Sequence, residues 1–171
     1  MLLLGLAVLT ACGDRPPRVP TGDPLEVVRA APDLTEQVGR VTVFVDRPGE
    51  SVSAQLELRR GQTPRYLRDR SGILDRTDIR ERARAALDLA RRATEAEAYG
   101  GQQVRGVSTM RYEVTVPGGW EADVWIDVGG RVRRVQFADG ATPQSPDPTQ
   151  PNGLPALVTV DFVFPQAQRA G

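Results

Sequence analysis

Several stretches of this chain alternate apolar and polar residues with a period of two, and that pattern limits the fold more than any other feature of the sequence. In VTVFVD, Val41, Val43 and Val45 fall on one face and Thr42 and Phe44 on the other. In VSAQLELR, Val52, Ala54, Leu56 and Leu58 oppose Ser53, Gln55, Glu57 and Arg59. Farther along, Met110, Tyr112, Val114 and Val116 alternate with Arg111, Glu113 and Thr115, and Ala122, Val124, Ile126 and Val128 alternate with Asp123, Trp125 and Asp127. Near the end, Val158, Val160, Phe162 and Phe164 share a face. Successive strand side chains point to opposite sides, so each segment has one greasy face and one wet one, the pattern of a half-buried antiparallel sheet. Asp46-Arg47-Pro48-Gly49 predicts one hairpin turn, and Gly129-Gly130 predicts another leading into RVRRVQFA, with its Val135 and Phe137.

Against that background one stretch keeps helical spacing. Over residues 76–98, Ile79, Ala83, Ala86, Leu87, Ala90 and Ala93 form an apolar stripe. Asp75 or Thr77 suits its start, and Gly100 and Gly101 suit its stop. Asp78 with Arg82, Arg84 with Asp88 and Asp88 with Arg92 are opposite-charge pairs one turn apart. A stripe made mostly of alanine packs closely onto a surface. Leu25 to Val38 predicts a shorter helical segment, broken at Ala31-Pro32 because proline disfavours the α region in the residue before it. Asp33 and Glu36 would start its second turn. Arg60 to Leu74 is polar and irregular, with Tyr66 and Ile73 as inward anchors, and Ala141 to Pro155 is a proline-rich loop. About six strands and one long helix make an α+β architecture: a curved, mainly antiparallel sheet, a half-barrel, packed on one long helix. A chain of 171 residues suits a single domain with a real core.

The first residues address location. Met1 to Ala11 is a continuous apolar run. As a helix it spans about 16 Å, roughly half a bilayer core, too short to cross. Its length and small-residue end fit the core and cleavage site of a secretory signal peptide. No arginine precedes Cys12, which leads us to expect that the true start lies upstream of Met1. The tetrapeptide LTAC resembles the lipobox of bacterial lipoproteins, in which the cysteine sulfur receives a diacylglyceryl group, a peptidase cuts before the cysteine, and the new amine is often acylated. Residues 1–11 then form the signal peptide, and residues 12–24 the lipidated Cys12 and a proline-rich tether. Residues 25–171 make one domain on the extracytoplasmic face of the membrane. The tether reaches about 35 Å at roughly 3.1 Å per residue. Two acyl chains anchor firmly where one binds marginally. Cys12 is the only cysteine, so its lipidation leaves no thiol for disulfides, thiol catalysis or zinc-thiolate sites.

Charge and residue types narrow the chemistry. Twenty-two acidic residues balance 22 basic ones, all of them arginine, and histidine is absent. Zero net charge argues against nucleic acid as a partner, since phosphate binding rests on a basic surplus. Without histidine or a free thiol, Ser-His and Cys-His catalysis are closed. Asp123 and Asp127 lie on one strand face two pleats apart, a spacing that suits paired acid/base carboxylates or a calcium site. The favoured alternative is a solvated outer face with Arg131 or Arg133 across the hairpin. No phosphate-binding glycine fingerprint occurs, and the glycine pairs read as turns. The expectation is a non-enzyme without a cofactor. Arg80, Arg84, Arg91 and Arg92 suggest contact with anionic headgroups, but interspersed acids leave little net field. Trp120, after Pro117-Gly118-Gly119, suits either an interfacial or cavity-mouth residue or a plug closing one end of the sheet.

VRGVSTMRYEVTV followed by VWIDVGGRVRRVQF resembles a recurring pattern in actinobacterial lipoproteins of the LppX/LprG type, within the LolA-like superfamily. The matching residues are Val104, Arg105, Gly106, Thr109, Tyr112 and Val116, then Val124, Trp125, Ile126, Asp127, Gly130, Arg131, Val132 and Arg134, and later Val158 and Thr159. The resemblance implies a LolA-like half-barrel wrapped over helices, with acyl chains of lipids or lipoglycans held between sheet and helices in transit across the envelope. Tyr112, Val114, Val116, Val124, Ile126, Val135, Phe137, Val160 and Phe162 would line that space. The chain departs from the family in being shorter, around residues 60–75, and in presenting alanines on its helix. The expectation is a membrane-anchored lipoprotein that binds and transfers a lipid or lipoglycan. The alternative is a non-catalytic envelope lipoprotein with a filled core that recognises a protein partner.

Overall fold

Pairing between strands, more than local propensity, sets the architecture. The computed structural model describes residues 20–67, 79–138 and 157–165. The expected signal peptide, Cys12, Ile73, the expected helix caps Asp75 and Thr77, and the expected loop over 141–155 lie outside these. In chain order the elements are α1 (Pro24–Glu36), β1 (Arg40–Arg47), β2 (Glu50–Glu57), β3 (Arg65–Tyr66), α2 (Ile79–Arg91), β4 (Glu95–Val104), β5 (Val107–Val116), β6 (Trp120–Asp127), β7 (Val132–Ala138) and β8 (Leu157–Val163). The strands form one curved, open, eight-stranded sheet in the order β3-β2-β1-β8-β7-β6-β5-β4, every neighbouring pair antiparallel. The last strand in the chain lies in the middle. β8 pairs with β1 on one side and β7 on the other, joining the early strands to the late ones.

Both helices cover the same face. Val28 and Ala31 of α1, and Ile79, Ala83, Ala86, Leu87 and Ala90 of α2, are buried with the inward residues of the sheet in a single apolar core. The expected single long helix over 76–98 is corrected to two helices of 13 residues each. α2 closes with Ala93 N–H donating to the Ala90 carbonyl, and the next residue turns away: Thr94 N–H donates to the Thr115 carbonyl at 2.7 Å. Glu95 to Val104 then lies along β5 as a full strand. Glu-Ala-Glu-Ala favours helix in isolation, but pairing along β5 and the contact of Ala96 with the core outweigh that preference. Gly100 and Gly101, expected to stop the helix, stand instead in β4 beside a register shift between Ala98 and Gly100.

α1 also departs from expectation, because it runs unbroken through Pro32. Proline removes one helical hydrogen bond and crowds the preceding turn. Here tertiary ties hold the turn. The Thr35 hydroxyl donates to the Ala31 carbonyl at 2.8 Å and accepts from Val132 N–H of β7 at 2.8 Å. Asp33 and Glu36 reach outward to Arg91 of α2, and Arg60 meets Asp33 at 2.6 Å. The chain enters α1 through Asp23, whose carboxylate accepts from Leu25 N–H, an N-cap followed by proline at the first helical position.

Candidate functional site: an apolar sheet face under two helices

The residues singled out as lining the interior come together on the helix-covered face. Tyr112 pairs with Val124, Val124 with Val135, Val135 with Val160, and Val160 with Val45. This makes one row straight across β5, β6, β7, β8 and β1. A second row runs from Val114 through Ala122 and Phe137 to Val158. Ile126 faces Met110 and Val132, Phe162 faces Val43, and Val116 pairs with Trp120 at the far end. All the singled-out residues are buried, from 0% exposed at Val124, Val135 and Val160 to 5% at Val116.

None of the singled-out residues is charged, and the charges that alternation turns toward this face, Arg47 and Glu50, stand at the β1–β2 hairpin. Among the singled-out residues the Tyr112 hydroxyl is the polar exception, and burial raises that group's pKa above the ordinary tyrosine value. Walls of this kind accept apolar matter and reject ions. In this structure the side chains of α1 and α2 occupy the space. α2 meets the sheet mainly through alanines, with Ile79 and Leu87 as its larger buried residues.

The other face is built from charge and aromatic rings. Phe44 pairs with Asp161, Asp161 with Arg134, Arg134 with Trp125, and Trp125 with Arg111. Asp161 is fully buried. It accepts from Arg134 Nε at 2.6 Å and Arg134 Nη2 at 2.9 Å, and from Arg105 Nε at 2.7 Å. The hydrogen bond to Asp161 holds Arg134 more firmly protonated than usual. Arg105 lies in the two-residue turn between β4 and β5, with φ of 47° beside Gly106 at 77°, and its guanidinium sits 3.9 Å from the centre of the Phe44 ring. The tip of the β4–β5 hairpin is therefore clasped over β8 and β1. Trp125 Nε1 adds a hydrogen bond to Gln102 of β4 at 2.7 Å, and Arg111 grips Asp123 through two bonds, at 2.9 Å and 3.0 Å.

Asp123 and Asp127 are taken up by different arginines. Asp123 belongs to Arg111. Asp127 accepts from the backbone N–H groups of Gly129 and Arg131 at 2.9 and 3.1 Å, from Arg131 Nε at 3.0 Å and from Arg133 Nε at 2.7 Å. The expected partners Arg131 and Arg133 are thus present, but the site is buried rather than solvated, with Asp127 1% exposed. Both guanidiniums stack over Phe164, at 5.1 and 4.4 Å. Glycine is favoured at position 130 because the turn holds its φ at 76°. The conspicuous charges of the VRG and VWID motifs therefore bind the fold to itself. Trp120 is half-buried, with its ring folded back on Gly118.

Among the described residues no group of three or more His, Cys, Asp or Glu side chains is placed to hold a metal ion, and no helix is long and apolar enough to cross a membrane. An open groove of about 640 Å³ lies at one end of the charged face, lined by Arg40, Thr42, Gln55, Leu67, Val163 and Pro165 among others. The residues that the sequence did not single out are Thr35 and Asp161, and Arg105 entered only through the family pattern.

The class defined by this geometry is an α+β protein whose one apolar sheet face is closed by two helices and whose other face is charged. No protein-family model matches the chain, and no curated protein sequence matches it either. Among solved structures it is similar to LprF from Mycobacterium bovis, at 14% identity and a TM-score of 0.49, over 82% of this chain and 93% of that one. It is also similar to the lipoprotein LppX of Mycobacterium tuberculosis, at 17% identity and a TM-score of 0.45, over 81% and 92% of the two chains. A DUF1329 family protein from Desulfovibrio piger is similar at 11% identity and a TM-score of 0.36, over 82% and 92%.

Proposed function

We propose that this chain is a non-catalytic lipoprotein, anchored through Cys12 on the extracytoplasmic face of a membrane, that binds and hands on a lipid or lipoglycan by its acyl chains. The LTAC motif and the proline-rich segment after it support the anchor. The observation that carries the binding reading is the uncharged row Tyr112–Val124–Val135–Val160–Val45, which crosses five adjacent strands and whose β7, β8 and β1 part lies beneath the alanine-faced α2. Alanine buries little area, and apolar burial is worth about 25 cal/mol per Å². Lifting α2 to admit an acyl chain therefore costs less than lifting a leucine-faced helix, and the chain replaces the contacts α2 gives up.

A second reading has its own support. The row residues are 0–2% exposed and already packed, as in a filled core whose charged outer face recognises a protein partner. Photo-crosslinking separates the two. A palmitate analogue with a diazirine near its chain end is incubated with the protein, irradiated, and the adducts are located by peptide sequencing. Binding in the interior gives adducts at Val124, Val135 or Val160. Adducts confined to outward residues such as Thr42 or Gln136, or none at all, favour the filled core.

A further inference from the structure

We infer that Arg80 is the receptor for the anionic headgroup of the bound lipid, at the β3 edge of the sheet; this rests on the acyl-binding reading above. β3 is a terminal strand. Tyr66 pairs with Leu56, which puts it on the helix-covered face, where it packs against the core while only half-buried. It therefore marks where the apolar interior meets solvent between α2 and the sheet. Arg80 lies across it, with its guanidinium carbon 5.0 Å from the ring centre. Its Nε is buried and makes no hydrogen bond.

The neighbouring cations are committed elsewhere. Arg84 donates to Thr63 Oγ1 at 3.0 Å and meets Asp88 at 3.5 Å. Arg91 is tied to Asp33, Glu36 and Asp88. The acids are taken up as well, Asp33 also by Arg60 and Glu57 by Arg59. No ion pair to Arg80 is formed among the described residues. A buried donor left without an acceptor is costly, and a guanidinium at an aromatic-lined mouth suits an oxyanion that it can grip through two N–H groups. From Arg80 to Ala90 the helix runs about 15 Å, so a headgroup held at Arg80 would leave its acyl chain lying along the alanine face. The ligand is then an acyl lipid bearing a phosphate or a carboxylate.

The test is lipid competition on the full chain, read by native mass spectrometry with dioleoyl phosphatidate and dioleoylglycerol at equal concentration, and with oleate in a separate arm. The native protein is expected to prefer phosphatidate over the neutral lipid. Arg80→Gln should lower that ratio about five-fold while still binding dioleoylglycerol, and Arg84→Gln should leave it unchanged. Arg80→Lys keeps the charge without the fork and should fall between. Oleate binding that depends on Arg80 would point to a carboxylate as well as a phosphate. An unaltered ratio in Arg80→Gln, or equal uptake of both lipids by the native protein, overturns the role of Arg80 alone. Uptake of neither lipid overturns the acyl-binding reading with it.

Discussion

Asp127 shows how one carboxylate can fix a turn. Burial alone would raise its pKa, but the Arg131 backbone N–H and the guanidiniums of Arg131 and Arg133 outweigh burial and hold it below the ordinary value of 3.8. Burial pulls Arg133 the other way, below the usual arginine value, with Asp127 opposing. A carboxylate depressed by folding contributes stability that is complete above its unfolded pKa and is lost as pH falls through the folded one. Asp127→Asn should therefore lower stability by about 3 kcal/mol near neutral pH, the scale for breaking a buried ion pair, as a drop in urea midpoint at unchanged slope. The gap between variant and native protein should narrow only below pH 3.8. Thr35→Val should cost about 1–3 kcal/mol, because it leaves the Val132 N–H buried without its acceptor. The sequence disclosed the partners of Asp127 through hairpin spacing, yet not its burial, which depends on Phe164 arriving from a strand remote in the chain. Thr35 gave no signal, because a lone threonine in a helix does not announce a bond to a residue 97 positions away.

At the scale of elements, what was legible was whatever has a local period. Strands β1, β2, β5, β6, β7 and β8 follow from alternation, and the inner or outer side of nearly every residue in them is as expected. What was hidden depends on pairing. β4 carries a helix-favouring composition and becomes a strand because β5 offers it a partner. β3 is two residues long and has no period to detect. Pro32 sits inside α1 because contacts beyond the helix hold that turn. The clasp of the β4–β5 hairpin was equally invisible, since Arg105 and Asp161 are 56 residues apart. Arg105→Ala removes the ion pair to Asp161 and the stack on Phe44, so amide hydrogen exchange at Gln102 to Thr109 should quicken by at least about ten-fold, matching a loss of some 1.4 kcal/mol. Exchange in β8 should change less, because Arg134 still holds Asp161. Leu87→Ala, which removes the largest fully buried part of α2's sheet contact after Ile79, should cost about 2–5 kcal/mol in thermal or urea unfolding.

For the molecule as a whole, the two sheet faces divide the work. The charged face ties strands and hairpins into one curvature, and the apolar row lies under two helices, one of them thinly faced. β8 links the two halves of the sheet, so its insertion late in the chain completes the apolar row at Val160. The central claim is that this row takes up an acyl chain. The most direct measurement is the native mass of the full chain purified from an envelope-bearing host, with the lipids released on denaturation identified by extraction and set apart from the covalent anchor proposed at Cys12. The account predicts a stoichiometric, non-covalent adduct of lipid mass that is absent from a folded Val160→Trp variant, whose ring fills the space. A folded native protein carrying no lipid, or an adduct that persists unchanged in Val160→Trp, would contradict it.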